Sequence, residues 1–121
     1  MSKDESPRVQ NQRVSPRKSL RTRVFFEDDS NDEFLYFLST DLSLSGIFIE
    51  SEMSLQEQTK VFLKFSIFDD DEPIRVTAEV TRWMEEKRGP GRRKKQKKGI
   101  GLRFIGLSLP DLKKIEQFIH S

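Results

Sequence analysis

From Arg21 to Phe104 the chain runs in short stretches of alternating apolar and polar residues. A period of two puts alternate side chains on one face of a strand, so the pattern predicts β-structure. RTRVFFE predicts a first strand, and the acidic EDDSND after it a solvated turn. EFLYFLST predicts a second strand that is apolar on both faces, so something should cover its outer side. GIFIES is a short third. In KVFLKFSIF, Val61, Leu63, Phe65 and Ile67 share one face. After the acidic turn DDDEP, IRVTAEVTRWM turns Ile74, Val76, Ala78 and Val80 inward and Arg75, Thr77, Glu79 and Thr81 outward. GIGLRFIG completes the set with Ile100, Leu102 and Phe104 on one face. Arg82 breaks the pattern: parity places it inward after Val80, a conflict relieved if it lies past the rim of the sheet.

The two ends read differently. Residues 1–16 are polar, contain two prolines and show neither period, which predicts a flexible N-terminal arm. In SLPDLKKIEQFIHS, Ser108 and Asp111 fit a helix N-terminal cap and Pro110 sits in the tolerated first turn. Leu112, Ile115, Phe118 and Ile119 then form one apolar stripe at helical spacing, predicting a helix over about 109–120. The stripe suits an outer strand face or a barrel mouth. Six short strands in so short a chain favour a closed barrel, because closure removes exposed edges. The fold expected is all-β with one C-terminal helix: a six-stranded antiparallel barrel domain over residues 17–121 behind the arm.

Composition narrows the function more than the fold. The 121 residues suffice for one domain, and ten Phe with one Trp and one Tyr supply much of its core. With no Cys there is no disulfide framework, thiolate nucleophile or thiolate metal site. No apolar run approaches the ~20 residues of a membrane span, and the N-terminus lacks a secretory pattern; a cytoplasmic location is expected. The net charge of +2 conceals segregation. Residues 1–23 hold seven Lys/Arg against two acids, 27–33 five acids and no base, and 85–98 eight bases against two acids. Local fields, not the total, therefore govern partners.

Catalysis finds little support. The single histidine, His120, stands next to last at a helix end. Paired carboxylates occur only in acidic turns, where solvation leaves them ordinary. Gly99 and Gly101 precede strand residues, not a helix, so they form no phosphate-cradling loop. No catalytic residue, metal site or cofactor is expected. Two features remain. Arg17 and Arg21 stand four apart where the arm meets the first strand, and an arginine's planar fork can clamp a phosphate or the edge of a guanine. A solvated basic arm is the bland alternative. Between the second and third strands lies Asp41-Leu42-Ser43-Leu44-Ser45-Gly46. A carboxylate can accept from the two donors of a guanine, a hydroxyl can donate or accept, and glycine allows a tight turn or a close approach. A simple Asx turn joining two strands is the alternative.

Taken together, RxxxR, DxSxxG about twenty residues later, and a GxGLRF strand running into a short helix resemble the PilZ domain family across residues 17–119. The resemblance implies a six-stranded PilZ-type barrel and a bacterial receptor for cyclic di-GMP, a second messenger of motility, attachment and exopolysaccharide control. It implies that Arg17 and Arg21 hold guanine edges and phosphates, that Asp41 and Ser43 contact a guanine from the barrel surface, and that Gly46 keeps the wall low. Lys18 is added as a further phosphate contact.

The function expected is that of an adaptor, not an enzyme, which folds its arm over the ligand and presents an altered surface to a protein partner. The alternative is an interaction protein of the same fold acting through its basic loop, residues 87–98, independently of nucleotide. That loop could also meet nucleic-acid phosphates or anionic lipid, or be only a mobile hairpin. With no aromatic interleaved in it, base stacking is not expected and nucleic acid is the disfavoured partner.

Overall fold

The computed structural model describes residues 16–68, 72–87 and 96–121. Almost all of the expected arm, the three aspartates that open the DDDEP turn and the middle of the basic loop lie outside these residues. Within them the order is β1 (Arg17–Ser19), β2 (Arg23–Glu27), β3 (Glu33–Ser43), β4 (Gly46–Glu50), β5 (Lys60–Phe65), β6 (Ile74–Lys87), β7 (Gln96–Ile105) and α1 (Leu109–Ile119). Six strands close a ring in the order β3-β2-β5-β6-β7-β4, with β4 returning to β3, and every pairing is antiparallel. This is the expected six-stranded barrel with its C-terminal helix.

The inward positions are those the alternation marks. Val24 and Phe26 of β2, Leu63 and Phe65 of β5, Ile74, Val76, Ala78 and Val80 of β6, and Ile100, Leu102 and Phe104 of β7 are all buried. Each such side chain contributes about 1.5–3 kcal/mol by leaving water. The helix packs against β1 and β3 and adds its apolar stripe to the core. Ser108 is its N-cap and accepts from the Asp111 amide at 3.3 Å, Pro110 lies in the first turn, and Ile115 is fully buried in the core.

The structure departs from the expectation in three places. Arg17 does not lie in a loose junction: β1 pairs with β3, with Arg17 opposite Ser43 and Ser19 opposite Asp41. β1 and β2 run along the same edge of β3 as one interrupted strand, and buried Ser39 fills the break. Its Oγ accepts from the Thr22 amide at 3.0 Å and donates to the Leu20 carbonyl. Second, Asp41 and Ser43 are not in a connection but end β3. Third, the outer face of β3 is not fully covered as expected: Phe34 is 60% and Tyr36 51% exposed. Neighbouring side chains shield that face in part: Phe25 packs on Tyr36 at 5.6 Å, Arg23 lies over the Tyr36 ring at 5.5 Å and Lys64 over Phe25 at 5.4 Å.

Candidate functional site

Directly paired residues of neighbouring strands share a face, so the register alone assembles a surface. On β4, Ile47 and Ile49 are buried, which turns Gly46, Phe48 and Glu50 outward. Asp41 pairs with Phe48, Phe48 with Gly101, and Gly101 with Arg82. The adjacent row runs from Arg17 and Ser43 on one side to Gly46, Arg103 and Glu79 on the other. Together these rows line an outer cleft of about 410 Å³ that includes Arg17, Asp41, Ser43, Gly46, Phe48, Arg82 and Arg103.

Four of the six sequence-predicted site residues thus meet in one cleft. Arg17 reaches Asp41 with its Nη1 3.5 Å from Oδ1, both side chains remaining partly exposed. Ser43 is buried and its hydroxyl shapes the β3–β4 turn: Oγ accepts from the amides of Ser45 and Gly46 at 3.2 Å each. The turn predicted for an aspartate is therefore made by the serine, which leaves the Asp41 carboxylate on the cleft. Gly46 is required by its neighbour strand, since a Cβ there would overlap the Leu102 carbonyl oxygen of β7. Glycine at this point lets β4 and β7 pair closely and keeps the wall of the cleft low.

Arg21 and Lys18 stand elsewhere. Arg21, between β1 and β2, binds Glu50 two residues along β4 from Phe48, with its two Nη atoms 2.8 and 3.3 Å from the carboxylate oxygens. It borders the cleft without lining it. The hydrogen bond that Arg21 donates to Glu50, and next the Glu50 charge, push the guanidinium pKa still higher, so it stays cationic. Lys18 faces the other way, as alternation along β1 requires. Its ammonium donates to the carbonyls of Phe118 and Ser121 at 3.2 Å and lies 4.9 Å from the centre of the Phe118 ring. A cation on the last carbonyls of a helix is favourably placed.

Two arginines escaped the sequence reading. Arg103 lines the cleft and pairs with Glu79. Arg82 was expected inward or past the rim. Instead the β6–β7 register shifts between Val80 and Arg82, and the extra residue, Thr81, turns Arg82 outward opposite Gly101. A bulge of this kind re-aims one side chain at the cost of a local break in the ladder. The misplaced charge in an otherwise clean inward series was the available signal. With three arginines and Asp41 as its one carboxylate among the described residues, the cleft carries an excess of positive charge beside a single anionic acceptor. No group of metal-ligating side chains occurs among the described residues, and no helix there is long and apolar enough to cross a membrane.

The family model described as the PilZ domain matches residues 8–121. No curated protein sequence matches the chain. Among solved structures, the fold is similar to the PilZ domain with c-di-GMP of YcgR from Escherichia coli, at a TM-score of 0.70 and 18% identity over 91% of this chain and 90% of that one. It is also similar to the Bacillus subtilis inhibitor of motility MotI, at 0.69 and 18% over 92% of this chain and 50% of that one. The K. pneumonia MrkH–c-di-GMP complex matches at 0.69 and 16%, over 93% of this chain and 52% of that one. The chain thus spans about half the length of the last two.

Proposed function

The chain belongs to the PilZ domain family, and from that premise we propose that it is a cyclic di-GMP receptor acting as an adaptor for a protein partner. The observation that carries the reading is the joint placement of Arg17, Asp41, Ser43 and Gly46 on one outward cleft that Arg82 and Arg103 also line. Cyclic di-GMP is a dianion with two guanines, so it asks for arginine forks at its phosphates and for a carboxylate at a guanine N1–H and N2–H2. Arg17 and Arg21 supply the forks, Asp41 reads the base, Ser43 holds the turn, and Gly46 lets the ligand approach. Arg21 joins this set by leaving Glu50, which sits on the same outward face.

Lys18 is assigned a different part. By tying β1 to the end of α1 it links the strand that carries Arg17 to the C-terminal helix. A shift of β1 on ligand capture would then be felt at the helix, and the surface there is the natural place for a partner to read it.

The test uses two variants. Arg21→Ala should weaken cyclic di-GMP by about tenfold to a hundredfold, since a hydrogen bond to a charged group contributes about 1.5–3 kcal/mol. Asp41→Ala should lose discrimination against cyclic di-AMP, which lacks the guanine donors. Unchanged affinity in the first together with unchanged selectivity in the second would overturn the reading.

A further inference from the structure

Arg82 is the one arginine lining the cleft for which the described residues offer no ion-pair partner: Arg17 is held by Asp41 and Arg103 by Glu79. Its position is a built one. The bulge at Thr81 turns it outward, and the Thr81 hydroxyl donates to the Gly101 carbonyl at 3.1 Å, fixing the bulge to β7. Gly101, lacking a side chain, leaves a low floor between Phe48 and Arg82. A Cβ there would lie 3.6 Å from the Phe48 ring and 3.8 Å from the Arg82 stem, and only 2.9 Å from the Thr81 hydroxyl. The row Asp41–Phe48–Gly101–Arg82 crosses four strands, and at ~4.8 Å per strand its ends are about 14 Å apart. It offers in sequence a carboxylate, an aromatic wall, an open floor and a cation with no ion-pair partner among the described residues.

We infer that Arg82 is a third ligand-contacting arginine, closing the cleft opposite β1 and gripping the phosphate-bearing ring of the nucleotide with its planar fork. The inference rests on the receptor reading of the same cleft and adds a contact that the RxxxR and DxSxxG positions do not contain. A guanine read by Asp41 at one end of the row has the Phe48 wall beside it, which directs the ligand's phosphates across the row toward Arg82. Arginine suits this end because its fork meets phosphate oxygens with two parallel bonds, whereas an ammonium meets them as a point charge.

Calorimetric titration of cyclic di-GMP into the wild type, Arg82→Ala and Arg82→Lys tests this, with thermal melting of each protein alone. Arg82 is exposed and bonded to nothing that holds the barrel among the described residues, so both variants should melt as the wild type does. Arg82→Ala should bind about tenfold to a hundredfold more weakly, with a shallower salt dependence, and Arg82→Lys should regain only part of the loss. Should Arg82→Ala melt early, Arg82→Lys alone decides: binding weaker than the wild type by more than about twofold upholds the inference, and binding within about twofold overturns it. Binding by Arg82→Ala within about twofold of the wild type would overturn the inference and leave the receptor reading standing. Failure of the wild type itself to bind would overturn that reading and this one with it.

Discussion

Replacing Gly46 by alanine asks whether this glycine serves the ligand alone or the barrel first. A Cβ at this position would overlap the Leu102 carbonyl oxygen and lie 3.1 Å from its carbon and 3.2 Å from Arg103 Cα. These are backbone atoms of the paired strand, so no side-chain rotation relieves the overlap. β4 must instead move off β7, straining the Gly46–Arg103 pairing and the bond from the Phe104 amide to the Ser45 carbonyl at 2.9 Å. Overpacking of this kind costs about 1–3 kcal/mol. In a domain of this size it should lower the melting temperature by roughly 4–12 °C. Because Gly46 lines the cleft, ligand affinity should fall with stability. The assay is urea or thermal unfolding of Gly46→Ala without ligand, followed by titration. If the variant melts with the wild type and loses only ligand affinity, the close approach of β4 and β7 is not what requires glycine.

Other outcomes follow from the same contacts. Glu50→Gln should tighten cyclic di-GMP binding by up to about fivefold, because the ligand no longer competes with a carboxylate for the Arg21 fork; weaker binding in calorimetry would refute the competition. Lys18→Ala should leave affinity within about threefold, as a residue turned from the cleft, while raising amide exchange at the end of α1. The reverse pattern would put Lys18 among the ligand contacts. Ile115→Ala should destabilise the barrel by about 2–5 kcal/mol in urea unfolding, since its side chain is fully buried. A loss under 1 kcal/mol would mean that α1 does not seal the core.

The barrel was legible because its inward positions obey a period of two almost without exception. Val76, Ala78 and Val80 against Thr77 and Glu79 leave one choice of face. What escaped the reading were the places where pairing slips by a residue. The break at Leu20–Thr22, the irregularity between Ser39 and Asp41, and the bulge at Thr81 are each set by contacts with another strand. Local alternation carries no trace of such contacts beyond a misplaced polar residue. The motif residues were likewise visible, but their division of labour was not. That Ser43 makes the turn, that Arg21 is held by Glu50 and that Lys18 reaches the helix are facts of long-range geometry. The exposed face of β3 shows the opposite limit: an apolar pattern states that a side chain can be buried, not that anything buries it.

If this cleft recognises cyclic di-GMP as a guanine dianion, calorimetric titration of the wild-type protein with cyclic di-GMP, and in parallel with cyclic GMP, will separate the two. Cyclic di-GMP should give saturable heat and cyclic GMP should bind at least about tenfold more weakly, since the monomeric nucleotide offers one phosphate and one guanine to a site with several arginine forks. No heat with cyclic di-GMP, or equal saturation by cyclic GMP, would contradict that recognition.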